Sequence, residues 1–291
     1  MVDVEAVNVV FIETQIRAGR APLPLPLPDP PYVPGSGVGG VVSAVGPGVD
    51  VGLVDRRVIA QTGGSGGYAE KAVVAADQVT PIPAAVSTAD AVALLTDGPT
   101  AMAISRLAVP KPDEWVLVEA AAGGLGGILV QLAVNVGAKV IGAVGSDAKL
   151  PVVRDAGALA VNYAQPDWTE RVLSLTGGTA IDVVFDGVGG EIGAAATSLV
   201  DSGGRFVLTG AASGGYTDTS ALAARGVTVL GLQQVMEMGL NLRELGVAAL
   251  EQAAAGRLRP VIGQTFPLER AADAHAAMEA RATIGKTLLL V

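Results

Sequence analysis

Three small residues at three-residue spacing, Ala120, Gly123 and Gly126, stand between an apolar run, Trp115 to Glu119, and a second one, Gly127 to Ala133. A buried strand, a tight small-residue turn and an apolar helix, in that order, can receive a dinucleotide pyrophosphate. The turn must bend sharply and let backbone approach the ligand. It must also aim the first N–H groups of a helix at negative charge. Read one residue later, Ala121, Gly123 and Gly126 fit the common glycine fingerprint with Ala in its first place. Glycine patterns alone are weak; the setting between strand and helix gives this one its meaning. The bland reading is a tight strand–helix connection with no ligand.

The residues downstream refine the chemistry. Gly137 closes the helix, and Lys139 to Val144 reads as the next strand. An Asp or Glu about 20 residues beyond such a turn holds the ribose hydroxyls of NAD. Gly145 and Ser146 occupy that place, followed by Asp147, Ala148 and Lys149. A small neutral residue with a cation nearby suits a 2′-phosphate, which a carboxylate would repel. NADP(H) is therefore expected, with Ser146 and Lys149 on the phosphate, and Asp147 keeps NAD(H) as the alternative. Ser146 also reads as a cap for the next helix.

Composition sets the frame for these elements. The chain has 291 residues, enough for two domains. Half are hydrophobic but only 3% aromatic, as in close-packed layers rich in Ala, Val, Leu and Gly. A net charge of −9 with no basic cluster argues against nucleic acid as a partner. The uncharged stretch from Ala120 to Gly137 spans a turn and a glycine-containing helix, which reads as a buried helix and not a membrane span. No signal segment is visible at the N-terminus. With no Cys and one His, a conventional His/Cys zinc site cannot be built. A soluble, cytoplasmic protein without zinc and without a membrane partner is expected.

Along the chain, residues 1 to about 95 read as strand-rich and irregular. Val38 to Val45 is a short apolar run between glycine clusters, and strands are expected at Arg57 to Gln61 and Tyr68 to Val74. The segment Pro22 to Pro31 reads as an extended loop, because proline lacks the N–H donor. From about 100 to 232, strands at 115–119, 139–144, 159–162, 182–186, 204–209 and 227–231 alternate with helices. That order predicts a doubly wound parallel sheet, a Rossmann fold, with a cofactor crevice outside the strand ends. Helices near 241–255 and 269–280 follow, then a strand from Thr287 to Val291 that is expected to rejoin the first domain. The expected division is therefore 1–97, 98–234 and a returning segment, 235–291.

Several short motifs in this order resemble the medium-chain dehydrogenase/reductase superfamily, specifically its zinc-independent quinone oxidoreductase (zeta-crystallin-like) branch. They include Ile16 to Gly19, Val33 to Ser36, Val45 to Val49, Gly66 to Glu70 and Pro99 to Ala101. The Ala120 to Gly126 turn, Leu175 to Gly178, Asp186 to Gly190, Gly203 to Arg205 and Ile284 to Thr287 continue the series. The resemblance implies an α/β fold in which a GroES-like substrate domain joins the Rossmann domain. It implies hydride transfer from NADPH to a quinone or an α,β-unsaturated carbonyl. A homodimer through the Rossmann edge strand, here 227–230, is implied as well. The substrate half departs from the family pattern. Val10 stands where the family commonly has Asn, with Asn8 two residues away, and Gly37 replaces an acid. The family also carries a further hairpin before what is here the first strand. A non-redox enzyme of cyclase or isomerase type on the same fold is the alternative that these departures suggest.

The resemblance also implies site roles. Ala120, Gly123, Gly124, Leu125 and Gly126 would hold the pyrophosphate, and Tyr163 would lie at the adenosine end. Val188, Gly210, Gln233 and Lys286 would complete the cofactor contacts, with Thr100 near the nicotinamide. Charge that builds on a carbonyl oxygen would be met by hydrogen-bond donors such as Tyr68 and Thr100. The proton that follows would come from Tyr68 or water, with Glu13 a weaker candidate. Tyr68 also reads as packing under the glycine-rich loop, Thr100 as a helix cap and Lys286 as a surface charge. His275, in a helical stretch with no partner His or Cys, reads as structural.

Overall fold

The computed structural model describes residues 1–20 and 27–291. The first half of the proline-rich loop expected from Pro22 to Pro31 lies outside the described residues. In chain order the first elements are β1 (Val2–Val9), α1 (Phe11–Arg17), β2 (Gly37–Val42), β3 (Arg57–Gln61), β4 (Lys71–Ala72) and β5 (Val79–Pro81). Helices α2 (Thr88–Leu94) and α3 (Asp97–Ala108) follow. The middle alternates strand and helix: β6 (Trp115–Glu119), α4 (Gly124–Asn135), β7 (Lys139–Val144), α5 (Leu150–Asp155), β8 (Leu159–Asn162), α6 (Trp168–Leu175), β9 (Ile181–Asp186), α7 (Gly190–Ala196), β10 (Val200–Leu208), β11 (Thr228–Gly231) and α8 (Leu232–Glu237). The last elements are α9 (Leu242–Ala254), β12 (Ile262–Pro267), α10 (Ala271–Glu279) and β13 (Lys286–Leu290).

The chain divides into two compact units, one of Met1–Pro99 with Arg243–Val291, the other of Thr100–Leu242. In the first, seven strands form a largely antiparallel sheet in the order β12-β13-β1-β2-β3-β5, with β4 on β1. The last strand, β13, lies antiparallel beside β1 and parallel to β12. Valines that alternate along β1, β2 and β3 make its core, joined by Ala274 of α10 and Leu289 of β13.

The second unit has six parallel strands in the order β11-β10-β9-β6-β7-β8. The winding runs outward from β6 to β8, then crosses back to β9 and runs outward the other way. Strand order therefore reverses between β6 and β9, the place where this fold opens its crevice. Strands buried on both faces explain the nearly continuous Val, Ile and Leu runs. Leu117, Val184, Ile141 and Phe206 pack on one face against Trp168, Val172 and Ala196 of the covering helices. Each such fully buried side chain contributes about 1.5–3 kcal/mol.

The structure corrects three local expectations. Only Lys71–Ala72 of the Tyr68 to Val74 stretch is strand. Its first part bonds elsewhere: the N–H groups of Gly67 and Tyr68 donate to the carbonyls of Gly35 and Pro34. The first ninety-odd residues also hold two helices, α1 and α2, where irregular chain was expected. Thr100 is not a cap, because α3 already starts at Asp97.

Candidate functional site

The Ala120 to Gly126 turn is built by close backbone approach. Ala120 has φ of 49°, a left-handed conformation unusual for a residue with a Cβ. Its carbonyl accepts the Gly123 N–H at 2.8 Å. A Cβ at Gly126 would lie 2.4 Å from that same oxygen, and one at Gly123 would lie 3.1 Å from it. Helix α4 begins at Gly124 behind Gly123, which offers no side-chain cap. The N–H groups of Gly124, Leu125 and Gly126 have no carbonyl one turn back to bond. Twelve residues of helix dipole thus start on uncapped donors at the end of β6. These features fit a pyrophosphate.

At the end of β7 the structure brings Ser146, Asp147 and Tyr163 together. The Tyr163 N–H donates to Val144 at 2.9 Å, and a Cβ at Gly145 would sit 3.0 Å from the Tyr163 hydroxyl. Gly145 therefore lets the ring lie against the strand end. Ser146 begins the next 3₁₀ turn, but its side chain makes no capping bond, so the capping role expected for it is not realised. Asp147 accepts from Asn162 Nδ2 at 2.9 Å. That bond ties down the one acid near the ribose position. Lys149 follows one turn later.

The ends of β9 and β10 meet beside this turn. Asp186 is fully buried, and its carboxylate accepts the N–H of Val188 at 3.0 Å and of Gly189 at 2.7 Å. Its other oxygen accepts the Thr217 hydroxyl at 2.5 Å. Val188 is buried, so its side chain belongs to the wall of the turn. The Gly210 N–H donates to the Asp186 carbonyl at 3.2 Å, and a Cβ at Gly210 would meet the Gly187 carbonyl at 3.0 Å. Glu119, the last residue of β6, is buried opposite Asp186, and its carboxyl is pushed up to about 10 by burial and then by the Asp186 charge. Sequence reasoning gave Glu119 no role. The available signal was an acid closing an otherwise apolar strand. Gln233, on α8, bonds the Glu237 carboxylate at 3.0 Å.

In the other unit, buried Glu13 and His275 are joined in one chain by half-buried Tyr68. The Glu13 carboxylate accepts the Val10 N–H at 3.1 Å, the Ser36 N–H at 2.8 Å and the Ser36 hydroxyl at 3.0 Å. The Tyr68 hydroxyl lies 3.3 Å from Glu13 and 2.8 Å from His275 Nε2. Burial raises the Glu13 carboxyl despite its donors. Burial, then the Glu13 charge, drives the Tyr68 phenol well above its ordinary value. Burial first, then Arg17, lowers His275 below its ordinary value. Gly35 makes room for the ring, since a Cβ there would sit 2.6 Å from Tyr68 Cδ1. The partnership of Tyr68 with His275 was missed in the sequence, where the two are 207 residues apart.

Lys286 is buried and pairs with Asp97 at 3.0 Å, which corrects its reading as a surface charge. Asn8, also buried, donates to Thr96 at 2.9 Å, while its side-chain oxygen has no partner. Among the described residues, no three of His, Cys, Asp and Glu gather where a metal ion could be held.

Comparison with known proteins agrees with this architecture. Residues 1–84 match the family described as alcohol dehydrogenase GroES-like domain, and residues 156–289 the one described as zinc-binding dehydrogenase. A 2-haloacrylate reductase of a Burkholderia species is 33% identical over 98% of this chain and 88% of its own. Quinone oxidoreductase 1 of Escherichia coli is 35% identical over 99% of this chain and 90% of its own. The structure of Escherichia coli quinone oxidoreductase complexed with NADPH superposes with a TM-score of 0.87 at 34% identity. It covers all of this chain, which spans 90% of that one. The chain belongs to the quinone oxidoreductase branch of the medium-chain dehydrogenase/reductase superfamily, and it is an oxidoreductase.

Proposed function

We propose that the protein is a zinc-independent reductase that uses NADPH to reduce a quinone or an α,β-unsaturated carbonyl. One observation carries the reading: an uncapped helix start behind a backbone-tight turn, at the point where the strand order reverses. The NADPH complex of the similar Escherichia coli enzyme supports the choice of cofactor. The names of the relatives support the acceptor, since a quinone and a 2-haloacrylate both present an activated C=C bond.

Gly123 to Gly126 would hold the pyrophosphate through backbone N–H groups, and Ser146 and Lys149 the 2′-phosphate beside Tyr163. Val188 would shape the crevice wall, and Thr100, Gly210 and Gln233 would lie on the nicotinamide side. Bound NADPH supplies the hydride. Charge left on the acceptor oxygen would be met by hydrogen-bond donors of the protein. The Tyr68 hydroxyl already joins Glu13 to His275, which favours a packing role for both Tyr68 and Glu13 and leaves water to deliver the proton. The unit holding β1 and β13 would take the substrate. A cytoplasmic homodimer through β11 belongs to the same reading; among the described residues β11 is an edge strand, paired with β10. No helix among the described residues is long and apolar enough to cross a membrane.

The test is NADPH oxidation against simple quinones and α,β-unsaturated ketones, beside titrations with NADPH and NADH. Turnover with NADPH bound more tightly than NADH is the expected result. Tight NADPH binding with every acceptor left unreduced would overturn the redox reading.

A further inference from the structure

Two buried carboxyls face each other at the reversal point of the parallel sheet. Glu119 closes β6 and Asp186 closes β9, one residue beyond the paired Val118 and Phe185. By strand alternation both side chains leave the sheet on the face shared by Leu117 and Val184. Asp186 has three donors, Val188 N–H, Gly189 N–H and the Thr217 hydroxyl, which is the set an ionised carboxylate wants. Glu119 has no such set. Neither of its oxygens has a hydrogen-bond partner in good geometry, and the polar groups it faces are Asp186 and the Val188 N–H.

Among the described residues no cation relieves the pair. Helix α4 carries no charged residue, β7 presents Ala143, and Glu191 of α7 is exposed. Among the described residues, Asp186 is the one charged group acting on Glu119. Two buried like charges on adjacent strand ends cannot both stay ionised. The strand ends also lead straight into the two turns of the crevice: Glu119 into Ala120, and Asp186 into Gly187 to Gly189.

We propose that Glu119 and Asp186 hold one proton between them, and that this singly charged pair is a positioning device. It ties the Ala120 turn to the Gly187 turn and keeps a second negative charge from beneath the bound pyrophosphate. The inference rests on the cofactor reading above. Glu119 is neutral and donates toward Asp186, whose remaining donors anchor the Val188 and Gly189 backbone.

The experiment uses the intact protein and two variants, Glu119→Gln and Glu119→Met. Infrared spectra of the cofactor-free protein at neutral pH should show the carbonyl stretch of a protonated, water-excluded carboxylic acid. That band should vanish in both variants. Stability against urea should fall steadily as pH rises from about 4.5 to about 10, because over that range the folded protein keeps a proton that the unfolded chain has lost. Glu119→Gln should flatten that slope. NADPH, titrated at neutral pH, should bind Glu119→Gln within about threefold of the parent and Glu119→Met about tenfold more weakly. Absence of the infrared band in the parent overturns the shared proton. So does NADPH binding about tenfold tighter to Glu119→Gln, since that marks an ionised Glu119 repelling the cofactor. Equal binding by parent and Glu119→Met overturns the positioning role. A parent that binds no NADPH overturns the cofactor reading and the positioning role together, while the infrared band still judges the proton.

Discussion

Tyr68 shows how burial decides what a side chain can do. A phenol held between Glu13 and His275, and raised far above its ordinary value, is a poor acid but a good strut. Tyr68→Phe removes one hydroxyl and leaves two buried polar groups short of a partner. We expect a loss of about 1–3 kcal/mol in stability, read by urea unfolding, with kcat for quinone reduction changed less than about threefold. A large fall in kcat at unchanged stability would make Tyr68 the proton donor instead. Lys149 is the residue proposed to decide between cofactors. Lys149→Ala should weaken NADPH about tenfold or more, the worth of a charge-assisted bond, and leave NADH nearly unchanged in parallel titrations.

At the scale of elements, the Ala120 to Gly126 turn has little room for added side-chain volume. Gly126→Val would drive a branched side chain into the Ala120 carbonyl. NADPH affinity should drop at least about tenfold, measured by quenching of protein fluorescence, while Ala120→Gly should bind as the parent does. The turn was legible in the sequence because its demands are local, a strand, small residues and a helix start within twelve positions. Strands such as Arg57–Gln61 and Lys139–Val144 were legible for the same reason, as apolar runs bounded by turn residues. Tyr68 to Val74 looked equally strand-like, yet Gly67 and Tyr68 spend their N–H groups on a neighbouring loop. The pairs Glu119–Asp186 and Tyr68–His275 were not legible. Each joins residues that only the finished fold brings together, and no local pattern marks them.

For the whole molecule, the exposed edge of β11 sets the expected assembly. Thr228→Asp would place like charges near one another across a two-fold axis. Light scattering after size exclusion should give twice the chain mass for the parent and a single chain mass for the variant. The unit that holds β1 is sewn shut by β13, the last strand, which lies between β1 and β12. During synthesis β1 can pair early with β2, but its other edge waits for β13, made more than 270 residues later. The parallel-sheet unit, by contrast, is continuous from Thr100 to Leu242 and is complete sooner. Newly made protein therefore passes through a stage with one unit folded and one bare valine-rich edge. That stage is where helper chaperones and aggregation compete for it.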